Sequence, residues 1–234
     1  MKIAILSDIH ANIISLKNVI NDFENQGIEH VCILGDIVGY YYWPVEVINL
    51  VNGLSHTTHI IQGNHERLLK EAQNCQIKKK KIYEKYGSGI NIALEKLSQD
   101  EKEFLYSLPK TKTLSIEGLN ILLCHGSKND PDQYIYPDSN LETLHSCIDT
   151  DYDYIFQGHT HYPFIFSSHH TTLANPGSVG QPRDIGHLAS YMILNSTSRS
   201  IVQRRIEFDY KSISDEIKQL DYHLPYLIEV FQKR

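Results

Sequence analysis

Five short apolar runs each stop at a small polar motif, and this repetition constrains the chain more than any other feature. Ile3–Leu6 leads into Ser7-Asp8-Ile9-His10, and Val31–Leu34 leads into Gly35-Asp36. His59-Ile60-Ile61 leads into Gly63-Asn64-His65, Ile121–Cys124 into His125-Gly126, and Tyr154-Ile155-Phe156 into Gly158-His159-Thr160-His161. Runs of this length without a polar alternation suit strands covered on both faces. Between them lie helical patterns. Ile13, Leu16, Val19, Ile20 and Phe23 recur at helical spacing, with Gly27 as a stop, and Pro44 opens a second pattern through Val47, Ile48 and Val51. Ser139 and Glu142 read as a capping box ahead of Leu141, Leu144 and Ile148. Strands alternating with helices indicate an α/β layered architecture.

The rhythm breaks between about Leu68 and Leu114, where the run Lys78–Lys81 precedes Ile90, Leu94 and Leu97 at helical spacing. This stretch is expected to be a helical, lid-like insertion in a single domain spanning residues 1–234. The lysine run reads first as a solvated helix face, and second as a phosphate-steering patch. After Asn175-Pro176-Gly177, Leu188–Leu194 and Ser200–Phe208 predict a β-hairpin, and Ile213, Ile217 and Leu220 a closing helix.

Composition narrows the class. The net charge of -6 argues against stable nucleic-acid binding through phosphates, without excluding a nucleotide substrate. No apolar stretch is long enough for a bilayer, and Asp8 and His10 leave no room for a signal peptide, so a cytoplasmic protein without a membrane role is expected. Cys32, Cys75, Cys124 and Cys147 form no CxxC pair, which disfavours thiolate zinc sites.

In open α/β sheets ligands bind beyond the carboxyl ends of the strands. Asp8, His10, Asp36, Asn64, His125, His159 and His161 all occupy that position and can meet in space. An oxygen and imidazole donor set suits Mn, Fe or Zn. Two divalent ions fit seven ligands if one carboxylate bridges, and Asp36 stands alone after its strand. Each piece taken singly has a plainer reading: Asn64 as a helix cap, Gly35-Asp36 as a turn, a strand-end histidine satisfying its loop. Five together, in order, point to a metal centre.

The series Asp8-x-His10, Gly35-Asp36, Gly63-Asn64-His65-Glu66, His125 and Gly158-His159-x-His161 resembles the calcineurin-like metallophosphoesterase superfamily. Asn175–Arg183 is similar to a loop in its branch of small bacterial single-domain members. The resemblance implies a four-layer αββα sandwich around two facing mixed sheets. It implies that Asp8, His10, Asp36 and His161 hold one ion and that Asp36, Asn64, His125 and His159 hold the other. His65 would lie outside the coordination shell, facing the phosphate as the catalytic group. The reaction expected is in-line attack on phosphorus by a hydroxide bridging the two ions. His65 would protonate the leaving oxygen or stabilise its charge, its alternative being to orient another group.

Gly35-Asp36 continues as Ile37-Val38-Gly39-Tyr40, without the acid and arginine that protein serine/threonine phosphatases carry in this motif. A small phosphodiester or dinucleoside polyphosphate, nucleotide-like in character, is therefore the favoured substrate. A phosphomonoesterase acting on phosphoproteins is the second reading, and an inert binding module on the same scaffold the third. Tyr40, Tyr41, Tyr42 and Trp43 offer faces for a nucleobase, or pack against the insertion. Arg183 offers a phosphate contact, or braces its loop through Asp184 or another acid. His169 and His170 fall in a polar turn and are not counted as ligands. The direction in which Glu66 points, and the oligomeric state, are not legible.

Overall fold

The apolar runs become the strands of two five-stranded mixed sheets in a computed structural model that describes residues 1–234. In chain order the strands are β1 (Lys2–Leu6), β2 (His30–Ile33), β3 (Thr57–Ile60), β4 (Thr111–Ile116), β5 (Leu119–Cys124), β6 (Tyr154–Phe156), β7 (Phe164–Ser168), β8 (Thr171–Asn175), β9 (Leu188–Asn195) and β10 (Ser200–Glu207). The helices are α1 (Ile13–Glu24), α2 (Pro44–Asn52), α3 (Asn64–Asn74), α4 (Gln76–Tyr86), α5 (Gly89–Lys96), α6 (Gln99–Ser107), α7 (Leu141–Ser146), α8 (Tyr210–Leu220) and a last turn, α9 (Tyr226–Glu229). The sheets run β10-β9-β1-β2-β3 and β4-β5-β6-β8-β7.

Alternation along each central strand explains the unbroken apolar runs. Ile3, Ile5, Cys32 and Leu34 face inward and pack with Ile121, Leu123, Tyr154 and Phe156 of the second sheet. Ala4, Leu6, Val31 and Ile33 face outward and pack under α1, α2 and the inserted helices. Leu122, Cys124 and Ile155 face the other way, against Leu144 of α7. Three cores separated by two sheets make the four-layer αββα sandwich, with every central strand buried on both faces.

Two boundaries differ from the sequence reading. The helix after Asn140 is capped by Asn140 itself, whose Oδ1 accepts from the Thr143 backbone N–H at 2.8 Å. Ser139 instead closes the preceding turn by accepting from Tyr136 N, so the Ser139–Glu142 capping box is not formed. Asparagine is as good a cap as serine, and a one-residue offset is invisible to the pattern. The helical stretch covers α3 to α6 and stops at Ser107, because Thr111–Ile116 is β4, an edge strand antiparallel to β5. It also starts inside the polar motif, at Asn64. Strands β7 and β8 were not legible as strands either. No helix is long and apolar enough to cross a membrane.

Candidate metal centre

Strand register levels the polar motifs. Leu6 pairs with Ile33 in the parallel β1–β2 ladder and Ile33 pairs with Ile60 in β2–β3, so three strands end side by side. In the second sheet Leu123 pairs with Phe156, and β5 and β6 also end together. The loops that follow bring Asp8, His10, Asp36, Asn64, His125, His159 and His161 into one cage between the sheets. Asp8, His10 and His161 form one donor group, and Asp36, His125 and His159 another.

Asp36 Oδ2 joins them: it lies 3.8 Å from His10 Nε2 and 3.3 Å from His125 Nε2. Within the first group His161 Nε2 is 3.3 Å from Asp8 Oδ1 and 3.0 Å from His10 Nε2. In the second, Asn64 Oδ1 is 3.0 Å from His125 Nε2.

The remaining ring nitrogens fix these histidines. The Nδ1–H groups of His10, His125 and His161 donate to the carbonyls of Val38, Leu34 and Gln181 at 3.3, 2.6 and 2.8 Å. That tautomer points the Nε2 lone pairs into the cage. Two such lone pairs facing each other at 3.0 Å, in His10 and His161, repel unless a cation lies between them. Asp8 Oδ1 and His159 Nε2 are buried with no hydrogen-bond partner at all. Unsatisfied buried acceptors converging on one point fit divalent cations, and thiolates are absent from the set.

The backbone is held out of its ordinary conformations to make this cage. Asp8, His10, Asp36, His159 and His161 all have positive φ, between 51° and 68°. Such conformations cost about 1–3 kcal/mol each for a residue with a Cβ and persist where the surroundings over-determine them. Close packing supplies the constraint. A Cβ on Gly63 would collide with the Asp36 carboxylate, and one on Gly158 with Ser7. The loop after β8 clasps the first motif: Ser178 Oγ donates to Asp8 O at 2.7 Å, and Val179 N and Gly180 N donate to Ser7 O and Asp8 O. Asn175 Nδ2 donates to Gly158 O at 2.7 Å and so reaches the last motif as well.

Electrostatics follow from burial. Burial alone raises Asp8 and Asp36, yet the surrounding imidazoles, His161 for Asp8 and His125 for Asp36, hold both carboxyls well below the usual range. Burial lowers His65 and His159 to about 4. His125 goes the other way: burial pulls it down, but Asp36 and Asp8 outweigh that and push it up to about 10. Carboxylates that favour a proton there favour a cation for the same reason.

His65 is buried against Gly39, with its ring among those of His10, Tyr40 and Tyr86 at 4.7, 4.9 and 5.0 Å. It shares a possible donor group with His10 and Asp36. Its neighbour Glu66 turns away from it. The Glu66 carboxylate accepts from Asp36 N and Gly63 N on one oxygen and from Ile37 N and Val38 N on the other. Burial and Asp36 push Glu66 up to about 7, against those four donors, which favour the ionised form. It therefore holds the Asp36 loop and does not tune His65.

Tyr40 lies beside the cage, its hydroxyl accepting from Arg183 Nη2 at 3.1 Å. Arg183 also donates to Gln181 Oε1, and its charge helps keep the buried His161 from protonating. Asp184 pairs with Arg205 instead, so the Arg183–Asp184 brace is not formed. Tyr41 and Tyr42 are core residues, Tyr41 stacked on Phe231 and Tyr42 bonded to Asp221. Lys78 and Lys80 pair with Glu71 and Glu84 on a solvated face, and His169 and His170 are exposed. Two neighbours of the cage were missed in the sequence: Tyr86 of α4, against His65, and Tyr134, whose ring lies 4.1 Å from that of His159. Both sit in stretches with no motif, so nothing marked them.

Comparison with known proteins agrees with this geometry. The calcineurin-like phosphoesterase superfamily domain matches residues 1–199. An uncharacterized protein of Methanocaldococcus jannaschii is 33% identical, with 92% of this chain and 91% of that protein aligned. The phosphodiesterase YfcE of Escherichia coli is 24% identical over 86% of this chain and 91% of its own length. The crystal structure of a metallophosphoesterase from Sphaerobacter thermophilus superposes with a TM-score of 0.78 at 25% identity, covering 99% of this chain and all of that one. With donor clusters suited to divalent metals at its strand ends, the chain belongs to the calcineurin-like phosphoesterase superfamily and is a metal-dependent phosphoester hydrolase.

Proposed function

We propose that this enzyme is a two-metal phosphodiesterase acting on nucleotide-type diesters or dinucleoside polyphosphates. The observation that carries the reading is Asp36 Oδ2 lying between donors of both groups. Asp8, His10, Asp36 and His161 would hold one divalent ion, and Asp36, Asn64, His125 and His159 the second, with Mn, Fe and Zn all suited to such donors. Bound there, the ions supply Lewis acidity to activate water and neutralise phosphoryl oxygens.

The protein's own groups do the rest. Backbone carbonyls hold His10, His125 and His161 in the ligating tautomer. His65, neutral near pH 7 because burial lowers it, offers a ring N–H to the leaving oxygen as charge develops there. Arg183 is steadied through one Nη by Tyr40 and Gln181 and keeps the rest of its fork for a phosphate oxygen.

Diester preference rests on charge. Arg67, which donates to the Gly63 carbonyl beside Asn64, is committed to Asp132, which leaves Arg183 as the guanidinium with free donors beside Tyr40. A singly charged diester needs less cationic compensation than a dianionic monoester. The name of the Escherichia coli relative supports the same choice. The reading also places the enzyme in the cytoplasm, where the buried thiols of Cys32 and Cys124 stay reduced.

The test is turnover of bis(p-nitrophenyl) phosphate against p-nitrophenyl phosphate by manganese-loaded protein. The diester is expected to lead by about tenfold or more in kcat/KM. A clear monoester lead overturns the ordering in favour of a phosphomonoesterase.

A further inference from the structure

Exposed aromatic rings lead outward from the cage. Ile135 is buried in the outer core of the second sheet, whereas Tyr134 and Tyr136 on either side of it are 50% and 37% exposed. On either side of that inward residue the two rings lie parallel, 9° apart in plane and 6.1 Å between centroids. Tyr134 leans on His159 at 4.1 Å, and Tyr136 meets Tyr162 edge-on at 5.9 Å. Tyr162 directly follows His161, so both ends of the row are anchored to candidate metal ligands. Tyr136, Pro137, Asp138 and Tyr162 line a cavity of about 530 Å³. Lys85 and Arg183 carry positive charge close enough to Tyr134 to act on its hydroxyl.

We propose that Tyr134, Tyr136, Tyr162 and Asp138 form the subsite for the base of a nucleotide whose phosphate occupies the cage. The inference rests on the phosphoesterase reading and names the group that the substrate carries beside its phosphate. Two parallel, partly exposed rings beside a cavity suit a flat heterocycle, since every base has a π face to stack. The Asp138 carboxylate accepts hydrogen bonds from an exocyclic amine or a sugar hydroxyl. A cavity of this volume takes a base and its ribose, since small-molecule sites run from about 300 to 1,000 Å³. Tyr40 to Tyr42, the aromatic cluster most conspicuous in the sequence, are buried and present no such face.

The experiment compares binding of AMP and ribose 5-phosphate to manganese-loaded protein by calorimetry, since the second carries an anomeric hydroxyl where the first carries the base. AMP is expected to bind about tenfold more tightly, a modest return for one stacked base. Tyr136→Ala should bring the two affinities together, and Tyr136→Phe should keep them apart because it retains the ring. Tyr162→Ala is a second variant, expected to narrow the difference if Tyr136→Ala does not fold. Equal affinities in the unaltered protein, no detectable AMP binding, or a difference untouched by removing either ring overturns the subsite. Hydrolysis of bis(p-nitrophenyl) phosphate by the same preparation reports separately on the phosphoesterase reading, so either can fail alone.

Discussion

The donor cage and the wall beside it are built on opposite principles. Every cage residue follows the end of a sheet strand, most are fully buried, and several are held at positive φ by backbone contacts from three other loops. The wall is made by α4 and by the segment from Tyr134 to Asp138, largely exposed and carrying rings in place of fixed backbone. One buried carboxylate ties the inserted helices down: Asp221 accepts from Tyr42 Oη, Ser88 N and Ser88 Oγ at 2.8–3.0 Å. Chemistry needs atoms held to fractions of an ångström, which strand register supplies, while selectivity is set by side chains on loops that can change without disturbing the sheets.

This contrast breaks most directly at Asp36. Asp36→Asn should lower both bound ions and reduce diester hydrolysis by about a thousandfold or more, whereas His10→Ala should deplete chiefly one ion. Metal analysis showing equal losses in the two variants would falsify the bridging role. A step smaller is Glu66→Gln, which sets an amide NH2 against two of the four N–H groups now satisfied. It should cost about 2–3 kcal/mol, read from the urea midpoint. A loss below about 0.5 kcal/mol would mean the Asp36 loop holds its shape without that carboxylate.

Acid should destabilise the metal-free protein for a related reason. His65 and His159 resist protonation down to about 4 when folded, against 6.5 in the open chain, so the unfolded state binds protons first. Their contribution is fully present above pH 6.5 and is lost as pH falls toward 4. His125, raised to about 10, contributes stability that is fully present below pH 6.5 and is lost only as pH rises toward 10, so it leaves that acid window unchanged. A melting temperature that is flat from pH 7 to pH 5 would count against buried neutral imidazoles.

The wall should respond more gently. Asp221→Asn ought to loosen the inserted helices, seen as faster proteolysis between residues 75 and 98 with global stability down by about 1–2 kcal/mol. Unchanged cleavage would show that packing of Tyr86 and Ile90 suffices. Least of all, replacing Lys78, Lys79, Lys80 and Lys81 by glutamine should leave diester kcat/KM within about twofold, since surface pairs such as Lys78–Glu71 contribute little. A larger drop would revive phosphate steering by this face.

Much of the cage was legible because apolar runs and strand-end motifs are local patterns. The same reading failed wherever the decision lay elsewhere in space. Strand β4 has an alternating, half-exposed pattern next to helices and was absorbed into the insertion. Tyr40 to Tyr42 could stack on a base or pack inward, and only the fold decides: Tyr41 stacks on Phe231, Tyr42 bonds to Asp221, and Tyr40 is wedged between His65, Tyr86 of the inserted α4 and Arg183. Glu66 could have faced either way along its helix, and only the approach of the Asp36 loop settled which.

The sequence by itself determined the layered α/β architecture, the strands that end in motifs, and the seven donors, because two-face burial and ligand chemistry are written in residue types at fixed spacing. The tertiary structure alone decided which carboxylate oxygen stands between the two groups, where Glu66 and Arg183 point, and that Tyr134 leans on His159 with Tyr136 parallel to it. Those are contacts between segments far apart in the chain, 143 residues for Arg183 to Tyr40, and no local pattern encodes the distance at which two strand ends meet.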